Sequence, residues 1–295
     1  MDSLPILDLV IIGAQKSFTT SLKTYLGEHP SVITHPQQEL AYFTDDKEYK
    51  MGYQRALAHY YKNIDYNAHK KMVAKSAFLY ISERSIKRLY DHNPNCKLVL
   101  SLRNPVDRAY SAYLMECNYA DMEFPFNEIK SVVEKADDSY WPFKLFIDAG
   151  NYAKHLQSIY KYFPKDQVKV VLCEEIKEDA IKVCKDIFEW LGVDDTFVPD
   201  IKVYNPTMKR GSKLYAKLAH VLLKQSPILR KSAGLIMPSY YNYKIGNFIR
   251  RANKTKQRYE PMDAITRGYL LGYYRESNKE LEEMIGKKVT VLWSK

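Results

Sequence analysis

Short apolar runs alternate along this chain with stretches of helical periodicity, and that alternation leaves few folds open to it. A strand covered on both faces needs apolar residues on consecutive positions. Leu7–Ile12, unbroken from Leu9 onward, and Lys97–Leu102 (KLVLSL) both read that way, and Met72–Lys75 and Val168–Leu172 are two further predicted strands. Between them lie helical patterns over Thr19–Leu26, Ser82–Tyr90, Tyr152–Tyr162, Ala180–Leu191 and about Met262–Met284. Asn104-Pro105 opens another, since proline suits a first helical position, and it puts Val106, Ala109, Tyr110, Tyr113 and Leu114 on one face. Strands alternating with helices predict an α/β three-layer sandwich with a central, mainly parallel sheet. From about Cys117 to Asp148 the pattern is less regular, with a helix near Phe126–Lys135, and reads as an excursion over the binding face. No repeat or low-complexity linker interrupts the chain, so a single domain over 1–295 is expected.

Lys and Arg outnumber Asp and Glu by 45 to 35, a formal charge of +10, which suits an anionic ligand but says nothing about fold. Met1–Asp8 lacks the basic start and long apolar stretch of a secretion signal. No apolar run approaches the roughly 18 residues of a membrane span. Cys96, Cys117, Cys173 and Cys184 are scattered without a CxxC pair and read as reduced, mostly buried thiols. A cytoplasmic protein without membrane or nucleic-acid partners is expected; its oligomeric state is not legible.

The turn after the first strand reads Gly13-Ala14-Gln15-Lys16-Ser17-Phe18-Thr19-Thr20-Ser21. A buried strand, a tight turn and a helix start bring free N–H groups and the positive end of the helix dipole together, which favours an anion. Hydroxyls from Ser17, Thr19, Thr20 and Ser21 add donors and Lys16 adds a mobile point charge, although Ser and Thr are equally ordinary helix caps. It is not a Walker A loop, because Lys16 comes early and no second glycine precedes it. The strand Lys97–Leu102 ends in Arg103, whose planar fork matches phosphate oxygens at a place where open α/β sheets bind ligands; Ser111 follows two turns into the helix. The plain alternative is a surface arginine paired with Asp107. Together, two anion sites on neighbouring strand ends imply a ligand with two separated phosphates.

Here the chain resembles the PAPS-dependent sulfotransferase family. GAQKSFTTSL is similar to its 5′-phosphosulfate loop and LSLRNPVDRAYSAY to its 3′-phosphate motif, in the same order and at a similar separation. AGNYAKHLQSIYKYFP, FEWLGVD and SNKELEEMIGKKVTVLW extend the resemblance over nearly the whole chain. It implies that Lys16 contacts the sulfuryl and bridging oxygens, that Ser17, Phe18, Thr19, Thr20 and Ser21 hold the 5′-phosphate, and that Arg103 and Ser111 bind the 3′-phosphate. Lys209, Arg210 and Gly211 resemble, loosely, the late loop that closes over the nucleotide. Gln38-Glu39-Leu40-Ala41-Tyr42-Phe43 is similar to the KExHFF segment of the glycan-acting and bacterial branch, which makes Glu39 the implied general base. Partly desolvated beside the donor, that carboxyl is expected to hold its proton more tightly than usual. Lys75, in a stretch like the family's EKSPxY, is implied to approach the sulfuryl group or the acceptor.

Three positions depart from the family's pattern. Phe18 stands where glycine is usual, so either it keeps ordinary dihedrals, leaving its ring to shape the acceptor pocket, or donor binding is in doubt. Gln38 and Ala41 replace a common Lys and His, which argues against a sulfated-glycan acceptor and for a small, natural-product-like one bearing a hydroxyl or amine. PAPS is the implied co-substrate and PAP the product; no metal cluster is visible. Two other readings stay open: a P-loop-type small-metabolite kinase, and a catalytically impaired nucleotide- or polyanion-binding protein.

Overall fold

The computed structural model describes residues 4–62, 69–117, 124–135, 139–201 and 261–294. Five strands, β1 (Leu9–Gly13), β2 (Val32–Thr34), β3 (Lys71–Lys75), β4 (Lys97–Leu102) and β5 (Val168–Leu172), form one sheet in the order β2-β3-β1-β4-β5. Every pairing is parallel. The helices are α1 (Thr19–Leu26), α2 (Asp46–Lys50), α3 (Tyr53–Tyr60), α4 (Glu83–His92), α5 (Pro105–Cys117), α6 (Ile129–Lys135), α7 (Tyr152–Tyr160), α8 (Cys173–Leu191), α9 (Ala264–Ile285) and α10 (Val289–Leu292).

Alternation along β1 divides the core. Leu9 and Ile11 face one side, where Leu22, Tyr25 and Leu26 of α1 and Ile187, Phe188 and Leu191 of α8 cover them. Val10 and Ile12 face the other, packed with Ile86 and Leu89 of α4, Leu156 and Ile159 of α7 and the carboxyl-terminal Leu281, Val289 and Trp293. Both faces are therefore apolar, which is why the strands read as continuous hydrophobic runs. The carboxyl-terminal α9 also reaches a third cluster, where Leu270 and Tyr274 meet Val106 and Ala109 of α5 and Phe143–Ile147. No helix among the described residues is long and apolar enough to cross a membrane. Cys96, Cys173 and Cys184 are buried thiols, Cys117 is half-buried, and all four are free.

The predicted strand over Lys97–Leu102 and helix over Thr19–Leu26 agree with the structure to the residue. The helix expected over Ala180–Leu191 begins earlier, at Cys173, and is broken at Asp179 (φ −150°, ψ 88°). β2, only three residues long and followed by His35-Pro36, gives too short a pattern to stand out. Near Phe126–Lys135 the expected helix resolves into a 3₁₀ turn, Phe126–Glu128, followed by α6.

Chain order sets the binding face. From β1 the chain passes to β2 and β3 on one side, then crosses to β4 and β5 on the other, leaving β1 flanked by β3 and β4. Such a reversal opens a crevice outside the carboxyl ends of the strands. Gly13 closes β1 there because nothing larger fits: a Cβ would stand 2.3 Å from the ring of Tyr80.

Candidate active site

Three cations rise from three neighbouring strand ends: Lys16 after β1, Lys75 at the end of β3 and Arg103 after β4. The turn from β1 to α1 is fastened to β4 by Ala14 N–H, which donates to the Ser101 carbonyl at 2.7 Å, and closed by Ser17 N–H on Ala14 O at 3.2 Å. Within it Lys16 (φ 72°) and Phe18 (φ 58°) both occupy the left-handed region. That region costs a non-glycine residue about 1–2 kcal/mol. Strain of this kind is held at ligand sites by the structure around it.

Phe18 settles the question its sequence position raised. It adopts the glycine-type conformation (φ 58°, ψ 10°) as the N-cap of α1, and its carbonyl accepts from Leu22 N–H at 2.9 Å. Its partly buried ring packs against the apolar cluster on the α1–α8 side of the sheet. The ordinary dihedrals under which it was expected to shape an acceptor pocket are not the ones it adopts.

Ser17, Thr19 and Ser21 are buried in the turn and the first turn of α1. The first N–H groups of that helix have no intrahelical acceptor, which leaves them for a ligand. Arg103 is half-buried; its carbonyl accepts from the Tyr152 hydroxyl at 2.9 Å, which fixes the backbone. Neither the Arg103 guanidinium nor the Lys16 ammonium has a hydrogen bond or ion pair among the described residues. Asp107, the alternative partner for Arg103, pairs with Arg267 instead. Burial pushes the Lys16 pKa down and the charge of Arg103 pushes it further, with Glu116 on α5 opposing both. Glu116 itself is pushed up by burial and partly restored by Lys16. Two neighbouring cations whose repulsion Glu116 offsets only in part favour an anion between them. Ser111 sits half-buried on α5, two turns beyond Arg103.

Lys75 and Glu39, singled out separately in the sequence, form one unit. Lys75 Nζ donates to Glu39 Oε1 at 2.6 Å and to Thr20 Oγ1 at 3.1 Å, while Ala77 N–H donates to Glu39 Oε2 at 2.8 Å. Lys75 is not the exposed lysine a strand end often carries: its side chain is 2% exposed, against 39% for Glu39. These two donors fix the orientation of a carboxylate that still meets solvent. Thr20, expected on the phosphate, is engaged with Lys75.

Residues around this unit escaped sequence reasoning. Lys23 of α1 is buried beneath it, with Nζ on the carbonyls of His35 and Gln37, and His35 Nε2 accepts from Lys75 N–H at 3.1 Å. A lysine one position from an apolar stripe carries no signal that separates burial from solvation. Lys209, Arg210 and Gly211 lie outside the described residues.

A parallel sheet thus carries at its switch point a strained turn, an arginine without an ion pair among the described residues and a carboxylate–lysine pair. Residues 7–232 match the sulfotransferase domain. The chain belongs to the sulfotransferase family, whose standard reaction uses PAPS as donor. It is 26% identical over 300 residues to the human bifunctional heparan sulfate N-deacetylase/N-sulfotransferase 3, covering 97% of this chain and 30% of that protein. To the human heparan sulfate glucosamine 3-O-sulfotransferase 5 it is 29% identical over 245 residues, 78% of this chain and 64% of the relative. The chain therefore spans less than two thirds of the length of either. A sulfotransferase structure from Alicyclobacillus acidocaldarius shares the fold, with a TM-score of 0.69 over 99% of this chain and 100% of that one, at 22% identity.

Proposed function

We propose that this chain, folded as one domain, transfers the sulfuryl group of PAPS to a hydroxyl or amine of a small, natural-product-like acceptor. The observation that carries this reading is the pair of cations on neighbouring strand ends, Lys16 and Arg103, neither with a hydrogen bond or ion pair among the described residues. When bound, PAPS supplies the sulfuryl group and a phosphate leaving group. The α1 turn, with Ser17, Thr19 and Ser21, holds the 5′ end, and Arg103 with Ser111 holds the 3′-phosphate. Lys16 places its charge where negative charge grows on the leaving oxygen, a contribution made mostly by preorganisation. Glu39 takes the acceptor's proton, and Lys75 fixes the orientation of that carboxylate. The acceptor of the two human relatives is heparan sulfate by name. Beside Glu39, however, this chain carries an exposed Gln38 and a half-buried Ala41, neither of which meets an anionic glycan chain with positive charge.

Calorimetric titration with PAP at low salt tests the reading, with ATP·Mg²⁺ as the contrast that a small-metabolite kinase would prefer. Tight PAP uptake, together with turnover of labelled PAPS in an acceptor screen, is expected; a well-folded chain that takes up no PAP sinks it. The titration also carries a pH signature. In the free chain the Lys16 pKa is lowered, and a bound anion raises it again, so binding takes up a proton between the two values. PAP affinity is therefore highest below the free-state value and falls by up to about tenfold per pH unit above it, at a pH below the usual lysine range.

Phe18 gives a second check. Phe18→Gly is expected to leave PAP affinity within about twofold and stability within about 1 kcal/mol, because relief of left-handed strain offsets the lost ring packing. Phe18→Ala loses the ring and keeps the strain, and should unfold about 1–2 kcal/mol more easily in urea.

A further inference from the structure

Lys23 has no part in holding the donor, yet it is among the most enclosed charges of the site, only 8% exposed. From α1 its ammonium donates to the carbonyl oxygens of His35 at 2.9 Å and Gln37 at 2.6 Å. Those carbonyls belong to the loop that leaves β2 and carries Glu39. One turn earlier on the same helix face, Thr20 receives Lys75 at 3.1 Å, and Lys75 grips Glu39. α1 therefore reaches the carboxylate by two routes, through its ion-pair partner and through its backbone. His35 lies between them: Lys75 N–H donates to its Nε2 at 3.1 Å, and burial, with Lys23 and Lys75 nearby, lowers its pKa to about 3, so the ring stays neutral. The stretch His35-Pro36-Gln37-Gln38-Glu39-Leu40-Ala41 has no lysine or arginine of its own.

We infer that Lys23 is a positioning residue for the base, its ammonium clamping the backbone from His35 to Gln37 and so setting where Glu39 stands against Lys75. The inference rests on the reading of Glu39 as base. Charge-assisted bonds to two carbonyls are stronger than those of a neutral amine. Burial first, then the charge of Lys75, lowers the Lys23 pKa to about 8, while Glu39 opposes the shift. The groups that face it are Lys75 from β3, Glu39 and the neutral His35 from the loop, and Thr20 from its own helix. The clamp is fully charged below about pH 8 and weakens above it.

Lys23→Met and Lys23→Gln, the latter keeping a donor without the charge, test this against the unsubstituted chain. Lys23→Met is expected to lower kcat about tenfold to a hundredfold, as a displaced catalytic group does. PAP affinity should stay within about twofold, since uniform binding is untouched. The fall in kcat centred near pH 8 in the unsubstituted chain should vanish in both variants, with Lys23→Gln intermediate in rate. Hydrogen exchange reads the clamp without turnover. The amides of Leu40, bonded to Lys75 O at 2.7 Å, and Ala41, bonded to the Tyr60 hydroxyl at 3.1 Å, should exchange at least about tenfold faster in Lys23→Met. Unchanged kcat and exchange overturn the inference, as does a pH-8 limb that survives substitution. An equal loss of PAP affinity and kcat also overturns it, by moving Lys23 to the donor site. Should Lys23→Met fail to fold, Lys23→Gln and its pH profile decide. If the unsubstituted chain binds no PAP and transfers nothing, the sulfuryl-transfer reading falls and takes the base-positioning role with it, whatever the exchange rates are.

Discussion

Lys16→Ala is expected to lower kcat by about 10²–10³-fold, the loss typical of removing one preorganised donor from a site of developing charge. It should also weaken PAP binding, because the turn loses the cation that faces the 5′ end. Its effect on stability should run the other way. In the ligand-free chain Lys16 is held with its pKa lowered by burial and by Arg103, so the unfolded chain binds that proton more tightly than the folded one. Stability therefore rises with pH from the lowered value up to the ordinary lysine range, and deleting the ammonium removes the penalty at neutral pH. A thermal melt of Lys16→Ala without ligand should show an unchanged or higher Tm. Loss of activity accompanied by a lower Tm would point to a structural lysine instead. Near-normal turnover would remove Lys16 from the reaction.

Glu39→Gln should lower kcat by about 10²–10⁴-fold, the range for losing a positioned general base. PAP affinity should stay unchanged, since the carboxylate faces Lys75 and the Ala77 amide rather than the α1 turn. The choice of glutamine matters for a physical reason. Lys75 is 2% exposed, and among the described residues its Nζ has only Glu39 and Thr20 for partners. Glutamine keeps an oxygen within reach of that ammonium, whereas Glu39→Ala leaves a buried charge with one hydroxyl. Breaking a buried pair from one side costs about 3–5 kcal/mol. The 39% exposure of Glu39 puts this case at the lower end. Urea unfolding of both variants separates the two effects: glutamine should be nearly as stable as the parent and inactive, alanine inactive and clearly less stable. A Glu39→Gln variant that turns over normally would leave the pair with a structural role alone.

The elements that were legible before any coordinates share a property. β4 and α1 are decided by consecutive apolar residues and by 3.6-residue periodicity, which local sequence records directly. The early start of α8 was not legible: the break at Asp179 (φ −150°, ψ 88°) separates its first turns from the rest. Among site residues, Lys16 and Arg103 could be named from their places after buried strands. That their charges would act on each other could not, since this needed β1 and β4 to be neighbours. Phe18 shows the limit from the other side. Residue type argued against a positive φ, and the fold has one there, with the ring partly buried against the apolar cluster.

By itself the sequence determined a parallel α/β sheet and the places of the Lys16 turn and of Arg103 at its strand ends, because strand burial and helix starts are short-range properties. Only the tertiary structure decided that Glu39 and Lys75 form one unit, that Thr20 and Lys23 contact it from α1, and that Asp107 pairs with Arg267 rather than with Arg103. These are contacts between segments that parallel crossovers bring together. No local pattern of residues encodes which strand becomes the neighbour of which.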